Sequence, residues 1–152
     1  MSTSGILLIA KTEKAHKKLQ ALFIQRKVQK RYVALLNGVL KEKSGSINLP
    51  LRVDLDNRPH QLVCYEYGKP AETVWKRIEI KNRKTRVYFF PITGRTHQLR
   101  VHAAHHLGLN MPIVGDDLYG KRAERLYLHA EKIQFTHPFT KDEVCIYSPA
   151  EF

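Results

Sequence analysis

The sequence predicts an α+β domain with a largely antiparallel sheet, and three observations carry that prediction. Two apolar, strand-like runs at residues 73–80 and 85–90 are joined by Asn82-Arg83-Lys84, a hairpin signal. Further strand patterns fall at 30–36, 127–135 and 143–147, and only two helical patterns are mixed among them. The chain has 152 residues, 43% of them hydrophobic, enough for one domain with a sizeable core.

Taken in order, residues 6–10 form a short apolar strand. Thr12 then caps a helix in which Ala15, Leu19, Leu22 and Phe23 share one face, while Lys14, Lys17, Lys18 and Gln25 share another. The strand at 30–36 leads into a polar turn at 41–46, marked by Ser44-Gly45, and a short segment at 47–51. Proline, glycine and charge across 52–71 predict a loop or irregular hairpin rather than a linker between domains. After the hairpin, Thr93-Gly94 is a turn signal and Thr96 an N-cap, so 97–107 reads as a helix closing at Gly108, with Leu99, Ala103 and Leu107 toward the core. No internal repeat or low-complexity segment interrupts the chain, and residues 1–152 are expected to form a single domain.

Charge narrows the partner. Lysine and arginine number 26 against 14 acidic residues, a formal charge of +12, which suits a polyanion such as nucleic acid. An anionic membrane surface is the competing reading. No apolar run is long enough to span a bilayer and no lipidation or secretory signal appears, so a soluble, cytoplasmic protein is expected. Cys64 and Cys145 are too few for a disulfide framework and lack metal spacing; both are expected to be reduced core or strand residues.

The most informative segment is Gly94-Arg95-Thr96-His97-Gln98-Leu99-Arg100-Val101-His102, which places two arginines, two histidines and a glutamine at one loop-to-helix junction. Arg95 and His97 fall at the positive end of the expected helix, where an anion is favoured. Arg100 lies near the edge of the buried face, where a guanidinium requires a carboxylate. The alternative is a basic amphipathic helix with solvated charges. His102, His105 and His106 stand at i, i+3 and i+4, a spacing that could gather imidazoles for zinc. No acidic residue completes a His-Glu-x-x-His pattern, and no metal is assigned.

This nine-residue segment resembles the third motif of the RluA-type pseudouridine synthases, and the likeness extends along the chain. Thr3-Ser4-Gly5 resembles the end of the family's first motif, His-Arg-Leu-Asp-x-x-Thr-Ser-Gly, and Lys30-Arg31-Tyr32-Val33-Ala34 resembles the second. Gly115-Asp116-Asp117-Leu118-Tyr119-Gly120, Leu128-His129-Ala130 and Phe135-Thr136-His137-Pro138 match later signatures in order. The stretch from Asp56 through Cys64 to Ala71 is most similar to the branch that modifies both a transfer-RNA anticodon loop and a 23S ribosomal RNA hairpin.

The resemblance implies the pseudouridine synthase catalytic fold, with flanking helices on a mixed sheet, and an isomerase of uridine in rRNA or tRNA stem-loops that needs neither metal nor cofactor. It implies that Arg100 holds the motif aspartate ionised, and that Tyr32 stacks on the target uracil and takes part in proton transfer. From pattern alone Tyr32 is an ordinary strand tyrosine. Arg95, His97 and Gln98 are placed to hold the phosphates and base edges of a flipped nucleotide; by their charge, Arg58, His60, Lys69 and the Lys17-Lys18 and Arg26-Lys27 pairs are candidate phosphate contacts, the alternative for each being a solvated surface residue.

One departure stands against these agreements. Aligning Thr3-Ser4-Gly5 places the family's aspartate immediately before Met1, so the sequence lacks it, and no other carboxylate, Asp54 and Asp116 included, occupies its motif position. The expectation is a chain truncated at its N-terminus: a single, incomplete catalytic domain, inactive as it stands, with a surface exposed for self-association. Arg100 is then expected to lack its carboxylate, to destabilise the fold if buried, or to recruit another acidic side chain. The alternative is a non-catalytic RNA-binding protein derived from the family.

Overall fold

The computed structural model describes residues 3–152; Met1 and Ser2 of the first motif lie outside the described residues. Among the described residues nine strands and two helices follow one another as β1 (Ser4–Gly5), α1 (Glu13–Ile24), β2 (Gln29–Leu36), β3 (Ser44–Asn48), β4 (Leu51–Val53), β5 (Gln61–Val63), β6 (Glu72–Lys81), β7 (Lys84–Pro91), α2 (Gln98–Ala104), β8 (Leu128–Thr136) and β9 (Glu143–Tyr147). Seven strands form one sheet in the order β1-β8-β2-β7-β6-β3, with β9 also paired to β8, while β4 and β5 form a separate two-stranded hairpin. Among the described residues only β1 against β8 is parallel.

The β6–β7 hairpin follows from its sequence. Lys81 pairs with Lys84, leaving Asn82 and Arg83 as a two-residue turn, and both have positive φ (51° and 59°), the geometry whose twist matches a hairpin. Along β7 the side chains alternate strictly, burying Thr85, Val87, Phe89 and Pro91. Val87 and Phe89 join Ala34, Leu36, Leu99 and Ile113 in the principal core, so α2 lies against the sheet through Leu99 and Ala103. Helix α1 is capped by Thr12, whose hydroxyl accepts from Ala15 N at 3.1 Å, as expected. It packs less deeply: no residue of α1 is fully buried, Leu19 and Leu22 lean on Val28, Ile133 and Phe135, and Phe23 faces solvent.

Two elements differ from expectation, and a third takes one of its two expected forms. Residues 6–10 do not form a strand; the ladder ends after Ile6 N donates to Ala130 O, because Ser148 N takes Glu131 O and β9 takes the edge of β8 from Lys132 onward. Leu7 and Ile9, left 80% and 72% exposed, are the apolar side chains this edge presents to solvent. Residues 52–71 take the hairpin form of the expected loop or irregular hairpin: Leu51–Val53 pairs with Gln61–Val63 around a tip where Asp54 Oδ1 accepts from the amides of Asp56 and Asn57.

The second difference is α2, shorter than the expected 97–107. His97, in a left-handed conformation, takes the N-cap position in place of Thr96, and His105 turns extended at the other end. Gly108 closes the turn so tightly that a Cβ there would lie 2.0 Å from His102 O. Six of its seven residues, Arg100 and His102 among them, are buried, which excludes a solvated basic helix. Leu107 is exposed, and so is Cys145 on β9; Cys64 is half-buried in the turn after β5, so neither cysteine is a core residue.

Candidate active-site cleft

Strand β2, the turn after β7 and the start of α2 enclose a cleft of about 290 Å³ lined by Thr3, Lys30, Tyr32, Arg95, His97, Gln98 and Arg100, together with Pro91, Thr93, Gly94, Leu99 and Leu128. Thr3 is brought there by β1. Arg125 Nη2 donates to Ser4 Oγ at 2.6 Å, Ser4 Oγ donates to His129 Nδ1 at 3.0 Å, and His129 Nε2 donates to Ser148 O at 2.8 Å. The first motif, a strand tyrosine and the third motif therefore meet in one place.

The turn into α2 is held by Gln98. Its amide nitrogen donates to Glu72 O at 2.9 Å and Thr73 Oγ1 at 3.0 Å, while its oxygen accepts from Thr93 Oγ1 at 2.7 Å and Arg95 N at 3.0 Å. With 3% exposure and its bonding capacity engaged in this way, Gln98 builds the loop and has no free group for the RNA contact expected of it. Arg95 and His97 do line the cleft, but α2 is only seven residues long, so they act through their own side-chain donors rather than through a helix terminus. Arg95 is exposed and spends only Nε on Pro70 O, at 2.9 Å.

Arg100 is not left without a carboxylate. Asp116 Oδ2 accepts from Nε at 2.9 Å, Asp116 Oδ1 accepts from Nη2 at 2.6 Å, and Asp117 Oδ1 accepts from Nη2 at 3.1 Å. Of the outcomes expected for Arg100, the recruitment of another acidic side chain is the one seen, and the guanidinium is not left unpartnered: Asp116, itself 0% exposed, meets it as a planar fork. Burial opposes the Arg100 charge, but the hydrogen bonds and charge of Asp116, with Asp117, hold its pKa above the ordinary value. Burial likewise pushes the Asp116 carboxyl up; Arg100 and the amides of Tyr119 and Leu118 outweigh it and hold the carboxyl below its usual range. Three of the five guanidinium protons are thereby engaged; among the described residues the two on Nη1 have no acceptor and can serve one in the cleft.

Tyr32 lines the cleft from β2, opposite Phe89 and beside a register shift against β8. Burial raises its phenol, so the hydroxyl stays protonated at neutral pH and offers a donor. Lys30, which sequence reasoning gave no role, also lines the cleft; burial lowers its ammonium pKa, and Nζ reaches Thr93 O at 3.4 Å. Arg58 and Lys69 lie outside the cleft wall, exposed at the tip of the β4–β5 hairpin and in the turn leading to β6. His60, beside the tip, bonds Asn57 O and Leu118 O and faces Tyr119 edge-on.

The three histidines do not assemble a metal site. His102 Nδ1 accepts from Thr73 Oγ1 at 2.9 Å and Nε2 donates to Leu49 O at 3.1 Å, so this ring is spent inside the core, while His105 and His106 stack on each other. Burial lowers the His102 pKa, aided by His105 and opposed by the Leu49 carbonyl. A histidine that binds its proton less readily folded than unfolded contributes stability above its unfolded pKa of about 6.5 and loses it as pH falls below that value. Unfolding titrations are expected to show stability falling between pH 7 and pH 5, and His102→Gln to flatten that slope; an unchanged slope would remove His102 as its source.

The chain has counterparts among known proteins. The sequence profile of the RNA pseudouridylate synthase family matches residues 1–105. The dual-specificity RNA pseudouridine synthase RluA of Pasteurella multocida is 43% identical over an alignment covering all of this chain and 71% of that protein. That of Haemophilus ducreyi is 46% identical, covering 93% of this chain and 67% of the relative. Among solved structures, human RNA pseudouridylate synthase domain containing 1 superposes with a TM-score of 0.79 at 31% identity, covering 94% of this chain, which spans 63% of that one. Among the described residues no helix is long and apolar enough to cross a membrane. With the three motifs converging on one cleft, the chain belongs to the RNA pseudouridine synthase family of isomerases.

Proposed function

We propose that the cleft receives a uridine extruded from an RNA stem-loop, of rRNA or tRNA, and that the 152-residue chain supplies the arginine, tyrosine and RNA-holding parts of its isomerisation site. The observation that carries this reading is Arg100, fixed through Nε and Nη2 by Asp116 and Asp117, with no partner for Nη1 among the described residues, in the cleft shared with Thr3 and Tyr32. The isomerisation breaks the N1–C1′ bond, forms C5–C1′, releases the C5 proton and leaves N1 protonated. It calls for a carboxylate at the sugar or base, a cation that keeps it charged, and a group that moves a proton. Arg100 Nη1 is the cation for a motif-one carboxylate, the Tyr32 hydroxyl is the polar group at the base, and no redox or metal step is required.

Arg95, Arg58 and Lys69 hold phosphates, in keeping with the excess of 26 basic over 14 acidic residues. The aspartate of the first motif is not among these 152 residues, and the chain by itself is proposed to bind RNA without turnover. The test compares the chain with a version carrying His-Arg-Leu-Asp ahead of Met1, on a tRNA anticodon-arm hairpin and a 23S rRNA hairpin. Both proteins are expected to bind, and only the extended one to form pseudouridine. Turnover by the 152-residue chain would refute the aspartate requirement, and absence of turnover from both would favour a non-catalytic RNA-binding protein. Arg58→Ala and Lys69→Ala are each expected to weaken binding and to reduce the salt-dependence slope by about one.

A further inference from the structure

The Tyr119 hydroxyl bears on which nitrogen of His97 carries the proton. Its hydroxyl oxygen lies 2.8 Å from Gln61 N and 2.8 Å from His97 Nδ1. A backbone amide can only donate, so the phenol oxygen accepts there. Its own proton then needs an acceptor, and among the described residues the one bonded to it is His97 Nδ1. Burial and the neighbouring Arg100 keep the imidazole neutral, with His60 in the same sense and Asp116 and Asp117 opposing. A neutral ring that accepts at Nδ1 carries its single proton on Nε2.

Three contacts hold Tyr119 in place apart from its hydroxyl. His97 and His60 each meet the ring edge-on, at 5.6 and 5.5 Å, and the Arg100 guanidinium lies 5.3 Å from its centroid. His97 adopts φ 53°, an uncommon backbone for a residue with a side chain, at the point where it both reaches Tyr119 and lines the cleft. The cleft already holds cationic donors in Arg95, Lys30 and Arg100, which suit phosphate or carboxylate. Beside these cations and the Tyr32 hydroxyl, His97 adds an uncharged N–H donor.

Building on the proposed RNA-binding site, we infer that His97 presents a neutral Nε2–H to a carbonyl oxygen of the extruded uracil, and that Tyr119 is the positioning residue that fixes this tautomer. Histidine nitrogen NMR of the labelled chain reads the tautomer directly: Nε2 protonated and Nδ1 bare are expected at pH 7, with Tyr119→Phe shifting the proton toward Nδ1. Binding is read with a hairpin of uridine-only loop and with the same hairpin carrying 2-thiouridine or 4-thiouridine. One of the two thio-substitutions is expected to weaken binding to the wild type by about three- to tenfold, and the loss to shrink in Tyr119→Phe.

A proton on Nδ1 in the wild type, or a tautomer unmoved by Tyr119→Phe, would overturn the inference. Equal binding of all three hairpins would overturn the carbonyl contact, and a loss that follows only a methylphosphonate in the loop would assign His97 to phosphate instead. A wild type that binds no hairpin refutes the RNA site itself, a result separable from the tautomer.

Discussion

Asp116→Ala is expected to lower the unfolding free energy by about 3–5 kcal/mol, the largest loss anticipated for a single side chain near the cleft. Asp116 is fully buried and Arg100 nearly so, with side-chain exposures of 0% and 8%. Removing the carboxylate strands a guanidinium that Asp117, 32% exposed and bonded through one oxygen at 3.1 Å, cannot satisfy alone. It also frees the amides of Leu118 and Tyr119, both of which donate to Asp116 Oδ1 at 3.0 Å, so the turn that carries Tyr119 loosens as well. Against a total stability of about 5–15 kcal/mol, a loss of that size leaves the protein marginal at 37 °C.

Urea unfolding measures the effect, and a loss below about 1 kcal/mol would show the pair to be dispensable. Asp116→Asn, which keeps an oxygen for the two amides but not the charge, is expected to fall between wild type and alanine. Arg100→Met combined with Asp116→Leu should recover part of the loss, because the cost of the single variant lies in the orphaned charge. Lowering pH acts on the same pair. The depressed Asp116 carboxyl contributes stability above its unfolded pKa of about 3.9, and the contribution is lost as pH falls through the lower folded value.

What could be read from the sequence divides along a physical line. Alternation along β7, the Asn82-Arg83 turn and the Thr12 cap are local, and each is set by residues within a few positions of one another. The strand expected at 143–147 is likewise present as β9. Residues 6–10 were misread because their apolar pattern fits a strand, whereas pairing depends on whether β8 still has a free edge. Gln98 was misread for a similar reason. A glutamine in a basic loop reads as a ligand for a polar partner, and only the approach of Glu72 and Thr73, more than twenty residues away in sequence, shows that its amide belongs to the interior. Arg100 signalled its need for a carboxylate through its position, but the partner lies sixteen residues further on in a turn whose spacing advertises nothing. Tyr119 was visible only as part of a motif; its bond to His97 is a property of the folded turn.

Arg100→Lys in the aspartate-bearing protein is expected to reduce pseudouridine formation by about 10²- to 10³-fold while leaving the fold and hairpin affinity nearly unchanged. Lysine keeps a positive charge for Asp116, so the buried pair is not orphaned, and far-ultraviolet circular dichroism and urea midpoints should remain close to wild type. What lysine cannot do is serve three carboxylates at fixed angles. In the wild type Nε and Nη2 are committed to Asp116 and Asp117, and the rigid plane of the guanidinium aims Nη1 independently of them. An ammonium has one centre, and satisfying Asp116 draws it away from the cleft. The loss should therefore appear in kcat at saturating hairpin, with KM little altered, because the contact is made to the catalytic carboxylate rather than to the RNA. If Arg100→Lys turned over at the wild-type rate, or if its defect lay wholly in KM, Arg100 would be an RNA-binding or purely structural residue and the proposed pairing with the motif-one aspartate would fall.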